Sequence, residues 1–179
     1  MADDDHAVAR LRLLSASSAV GWIDYGSYVL PCAIGPNGVR ALKREGDGAT
    51  PRAILPVREV LYRADRVRRP QTPLPICPLR PGDGWCDGST DPNYNRPVQL
   101  PYAASAETLW RQDDLYDVIL VMGFNDVPRV RGRGSCIFMH IARTGLTPTE
   151  GCVALAYVDL MRLVEARVPV RGLDTRLTR

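Results

Sequence analysis

Cys152 and His140 are the residues in this chain whose types and order suit thiol acyl transfer. His140 closes the segment Gly132-Arg133-Gly134-Ser135-Cys136-Ile137-Phe138-Met139-His140, and Cys152 follows twelve residues later in Pro148-Thr149-Glu150-Gly151-Cys152. The chain has two histidines, and the other, His6, lies among the acidic residues of the N-terminus. His140 is therefore the ring available to a nucleophile. Cysteine attacks as its thiolate, and a neighbouring imidazole is the usual means of forming one near neutral pH. This assigns Cys152 as nucleophile and His140 first as base, then as the acid that protonates the leaving amine. An imidazolium beside the thiol predicts a pKa drawn from about 8.5 towards roughly 3.5–7.5. Gly151 gives the turn room, and the N–H groups of Gly151 and Cys152 are candidates to hold an oxyanion. The alternatives are a small buried hydrophobe at Cys152 and a satisfied core histidine at His140.

Other groups are less determined. The partner of the second ring nitrogen is Asp126, Asn125 or a backbone carbonyl near Ile141. Two histidines without clustered acidic partners make a poor zinc site, so neither metal nor cofactor is expected. The net charge of +3 is too small to argue for nucleic acid, and no apolar run is long enough to span a bilayer. Apart from Lys43, the basic residues are arginines, a pattern that composition bias explains as well as any carboxylate-binding role. The five cysteines are an odd number; with Cys152 set aside, Cys32, Cys77, Cys86 and Cys136 pair in three ways or stay reduced.

The elements that must position these residues read as mainly β. Fifteen prolines and fifteen glycines suit short strands and turns. Strands are expected across residues 7–40, with a hairpin signal at Asn37-Gly38, and again from Ile54 to Tyr62, where Pro56 implies an edge or a bulge. Residues 65–102 form a long irregular segment, and loops of that length in a compact domain are often functional. Ser105 is suited to cap a short helix holding Glu107, Leu109 and Trp110. Tyr116 to Met122 is the strongest core strand, Ile137 to Met139 leads His140 along a second, and Tyr157, Leu160, Met161 and Val164 repeat at helical spacing. The tail after Gly172 is expected to fray.

These landmarks, in this order, resemble the L,D-transpeptidase catalytic domain family of the YkuD type. The resemblance rests on the glycine-rich approach to His140, on Gly151-Cys152 with the apolar run after it, and on Gly46-Asp47-Gly48-Ala49-Thr50-Pro51, similar to the family's Gly-x-x-Thr-Pro segment. Thr149-Glu150-Gly151-Cys152 stands where most members have Ser-His-Gly-Cys, as in a proteobacterial branch that is little more than the catalytic domain. The resemblance implies a single curved β-sandwich with two short helices and a long irregular loop over residues 8–168, flanked by a flexible tail at 1–7 and another at 169–179. It implies an enzyme of peptidoglycan biosynthesis, cell-wall biogenesis and cell shape. Such an enzyme cuts a stem peptide after the L-centre of diaminopimelate and passes the acyl group, through a Cys152 thioester, to an amine on a second stem. Carbapenem β-lactams are expected to acylate the same thiol.

On that reading Arg133 is a candidate to grip a stem carboxylate, with a solvated turn arginine as the alternative. Trp85, Tyr94, Asn95 and Arg96 either wall the donor groove or anchor the long loop. Glu150 is a candidate for the cationic acceptor amine, although its charge raises a neighbouring thiol's pKa. Rivals are an L,D-carboxypeptidase or endopeptidase, which uses the same residues with water as acceptor, and a catalytically silent cell-wall binding module. A sortase-like enzyme needs an arginine after the cysteine, where Arg162 and Arg167 fall on or at the end of a helix. Papain-like peptidases run cysteine before histidine. The substrate implies the periplasm or cell envelope, while the acidic N-terminus is unlike a secretory signal and leaves action inside the cell open.

Overall fold

The computed structural model describes residues 7–176 of the chain. Residues 1–6 and 177–179, where the expected tails begin and end, lie outside the described residues. Strands β1 (Val8–Leu13), β2 (Val20–Tyr25) and β3 (Tyr28–Ala33) form an antiparallel meander. Their period-2 pattern turns Leu11, Ile23 and Leu30 into the core while Arg12 and Asp24 pair at 2.8 Å outside it. The hairpin turn is at Tyr25–Tyr28, not at Asn37-Gly38. There the chain turns after β3 and enters β4 (Val39–Arg40), which pairs in parallel with β5 (Thr50–Pro51). An Asn-Gly turn favours a hairpin only when two complementary strands flank it; here the downstream strand is two residues long.

Strand β6 (Ile54–Tyr62) agrees with the sequence reading, and the register shifts opposite its Val57–Glu59 stretch, next to Pro56. Residues 65–102 are less irregular than expected. They contain β7 (Ile76–Pro78), parallel to β6, and β8 (Asp83–Cys86) and β9 (Pro97–Gln99). The Ser105 segment is likewise a strand, β10 (Ala106–Thr108), which completes a small antiparallel sheet in the order β10-β8-β9. Pairing to a strand some twenty residues away overrode the local cap signal.

Strands β11 (Val118–Met122), β12 (Phe138–Ile141) and β13 (Val153–Leu155) are followed by helix α1 (Tyr157–Val164) and strand β14 (Gly172–Asp174). Helix α1 has no side-chain cap at Ala156 and is held by burial of Leu160, Leu163 and Val164. The segment after Gly172 does not fray: β14 lies between β1 and β6, and Thr175 beyond it is fully buried. The large sheet runs β11-β12-β13-β3-β2-β1-β14-β6-β7, and β11 also pairs with β6, so eight of its nine strands close into a ring. The molecule is thus a mainly β, single-domain fold. Its inner face and α1 form the main core, with Leu55, Leu120, Met139, Val153 and Leu173 fully buried. A second apolar cluster of Trp85, Leu109, Tyr116, Ile119, Val121 and Phe138 joins the outer face of β11 and β12 to the small sheet.

Candidate active site

Strand alternation decides which side chains meet. On β11 and β12, Leu120, Met122, Met139 and Ile141 face the main core, leaving Ile119, Val121, Phe138 and His140 on the opposite face. Strand β13 runs parallel to β12 with His140 opposite Ala154. Cys152, two residues before Ala154, shares the face of His140 and packs against the second cluster. Neighbouring strands lie about 4.8 Å apart and two residues span roughly 6.6 Å, so the thiol and the ring sit at diagonal positions on one cleft, with no hydrogen bond between them. That cleft, about 370 Å³, is lined by both residues.

The imidazole is 7% exposed and packs edge-on against Tyr116. Its Nδ1 lies 2.8 Å from the Ile141 carbonyl oxygen. A carbonyl only accepts, so Nδ1 carries the proton and Nε2 keeps its lone pair. The orienting partner is therefore backbone. Asp126 is paired with Arg58 at 2.8 Å, and Asn125 bonds the Val130 and Gly134 carbonyls. Burial holds His140 down at about 4, with Arg111 and Arg143 adding to the effect.

The Cys152 Sγ donates to the Cys136 carbonyl at 3.0 Å and accepts the Phe138 N–H at 3.4 Å. Burial pushes its thiol up to about 12, and Glu107 and Glu150 push the same way against the Phe138 N–H and Lys43. Both shifts run against the thiolate–imidazolium pair expected from the sequence. Desolvation penalises both charged forms, so each group favours its neutral form. All five cysteines are free thiols.

The turn before Cys152 is clamped from several sides. Gly151 has φ +125°, and a Cβ there would lie 2.7 Å from the Ala49 carbonyl oxygen, so glycine is required. Thr50 Oγ1 donates to the Gly151 carbonyl at 3.0 Å, which joins the Gly46–Pro51 loop to the cysteine. The Gly151 N–H already donates to Thr149 Oγ1 at 3.2 Å, and that hydroxyl donates to the Cys152 carbonyl at 2.7 Å. Of the two N–H groups expected to hold an oxyanion, the Gly151 donor is thus occupied, and the Cys152 N–H has no acceptor among the described residues.

Of the other anticipated residues, Glu150 lines the cleft. Arg133 and Arg96 are exposed and outside its lining. Trp85, Tyr94 and Asn95 are buried and outside the lining of this cleft, and Trp85 and Asn95 line a second, smaller cavity of about 140 Å³. Asn95 Oδ1 accepts the Trp85 Nε1–H at 2.9 Å and the Cys136 N–H at 3.2 Å, while its amide donates to the Phe124 and Asn125 carbonyls. The Tyr94 hydroxyl bonds Glu45 and takes the Gly134 N–H at 2.8 Å, and Ser135 Oγ donates to Glu45 at 2.7 Å. The long segment therefore fastens the glycine-rich approach to His140.

The sequence reading missed Tyr116, Glu107, Arg111, Arg143, Glu45 and Asp87, which line the cleft. Glu107 belongs to the segment misread as helix, and the others carry no local pattern. Burial raises the Glu107 carboxyl, against the Tyr116 hydroxyl and Arg111. Among the described residues no group of three His, Cys, Asp or Glu side chains is arranged to hold a metal ion, and no helix is long and apolar enough to cross a membrane.

A family model for the L,D-transpeptidase catalytic domain matches residues 15–170. No curated protein and no solved structure matches the chain.

Proposed function

The chain belongs to the L,D-transpeptidase catalytic domain family, and from that premise we propose that it cross-links peptidoglycan stem peptides through a thioester at Cys152. One observation carries the reading: His140 on β12 and Cys152, immediately before the parallel strand β13, line one cleft open to solvent, with Nε2 of the ring unprotonated. In the first half-reaction the thiol proton passes to Nε2 as sulfur attacks the carbonyl carbon after the L-centre of diaminopimelate. Negative charge moves to the carbonyl oxygen, facing the Cys152 N–H. One oxyanion donor is worth about 3 kcal/mol in such a step. The C–N bond then breaks, and the proton on Nε2 goes to the departing D-amino acid.

In the second half-reaction a neutral amine attacks the thioester carbonyl and gives one proton to Nε2; the C–S bond then breaks and that proton passes to sulfur, restoring the thiol and the neutral ring. Because sulfur and ring start neutral, proton transfer and attack are coupled. Glu45, Asp87, Glu107 and Glu150 outnumber Arg111 and Arg143 around the cleft and draw in a cationic amine, which loses one proton to solvent before its nitrogen attacks; this enrichment supports transfer over hydrolysis. Gly151 acts through the turn's conformation. Such a substrate implies action at the cell envelope.

The test is intact-protein mass spectrometry after incubation with a carbapenem. One adduct per chain is expected on the wild type and none on Cys152→Ala. A wild type that stays unmodified between pH 6 and 9 would favour a silent binding module.

A further inference from the structure

We propose that Lys43 is a positioning residue for the chemistry at Cys152: its ammonium braces the Gly151 turn from behind and supplies positive charge as negative charge forms on the cysteine side. The inference rests on the assignment of Cys152 as nucleophile. Lys43 is the chain's one lysine and is 4% exposed. A buried ammonium is costly unless paired and fully hydrogen-bonded. Its Nζ meets Asp47 Oδ1 at 2.6 Å and donates to the Arg44 carbonyl at 2.7 Å.

Asp47 carries that anchorage towards the cysteine. It also accepts the Arg44 N–H at 2.8 Å and the Ala49 N–H at 3.0 Å. Ala49 abuts Gly151 through its carbonyl, and Thr50 bonds the Gly151 carbonyl. The lysine stem fills the space beside two glycines. A Cβ at Gly134 would lie 3.0 Å from its Cγ, and one at Gly151 would lie 3.6 Å from its Cε. One side chain therefore touches both the approach to His140 and the turn before Cys152. Of the charges acting on the thiol, Glu107 and Glu150 oppose the thiolate and Lys43 favours it. Tyr116 and Cys136 face the thiol from β11's approach and from the loop before β12, and His140 from β12.

The experiment follows alkylation of Cys152 by iodoacetamide at fixed pH, read by peptide mass spectrometry, with exposed Cys77 as internal standard. Lys43→Met keeps the stem without the charge, Lys43→Gln keeps a donor for Asp47, and Lys43→Arg keeps the charge. Loss of the charge is expected to slow Cys152 about tenfold, the rate equivalent of one pKa unit of stabilisation of the charge forming on sulfur, with Cys77 unchanged and Lys43→Arg within about threefold of wild type. A side chain that only filled space would, on removal, loosen the turn and leave the rate unchanged or raised. Either result in both Lys43→Met and Lys43→Gln overturns the proposal; should one variant fail to fold, the other decides. The two readings fail separately: absence of a carbapenem adduct on the wild type removes the transpeptidase assignment, whereas alkylation indifferent to the charge removes the role of Lys43.

Discussion

A ring held at about 4 and a thiol at about 12 leave both groups neutral over the whole physiological range. A preformed ion pair would instead titrate into its active form near neutrality and give a bell-shaped profile. Carbapenem acylation of Cys152 is therefore expected to vary by less than about twofold between pH 6 and 9. Rate constants from timed mass spectra check this, and a steep rise centred near pH 7 would contradict it. At this scale the sequence was informative about identity and silent about environment. His140 and Cys152 stand out because the chain holds one other histidine and a Gly-Cys turn. The direction of their pKa shifts depends on burial beneath residues far away in the chain, such as Tyr116 and Glu107, and burial leaves no mark on a motif.

At the scale of elements, the segment from residue 83 to 99 works as a clasp. Asn95, with φ +56°, satisfies two N–H groups and two carbonyls from three separate stretches of chain. Asn95→Ala strands those buried partners and puts a less tolerant residue in a left-handed conformation. A loss of about 3 kcal/mol is expected, read as a lower urea midpoint with an unchanged m-value. Strands β6, β11 and β12 were legible because their apolar runs are long or fully buried. β8, β9 and β10 were not: each has three or four residues, two contain or adjoin glycine or proline, and their pairing is set by partners the local pattern does not name. The same blindness hid Glu107 and left open whether Trp85, Tyr94 and Asn95 wall a groove or anchor the long loop.

For the molecule as a whole, the buried ring couples stability to acidity. The folded-state pKa of His140 is depressed from 6.5 to about 4, so between those values the unfolded chain binds more protons than the native one. Its contribution is complete above pH 6.5, declines as the pH falls through this window and is gone below about 4. Wild type is expected to lose about 2 kcal/mol more than His140→Gln between pH 8 and pH 5. Paired denaturation curves measure the difference, and parallel losses would refute it. The mainly β character was readable from glycine, proline and strand patterning. Closure was not, because it depends on β14, whose three residues look like a fraying end until Val8 is seen opposite Gly172.

That register has a consequence for biogenesis. The ring joins residues more than 160 positions apart, so during synthesis β1 and β6 are made well before β14, the strand that fills the gap between them. Until then the unpaired borders of those strands are templates for any extended peptide nearby. Newly made copies are most prone to associate with one another in the interval before that final insertion.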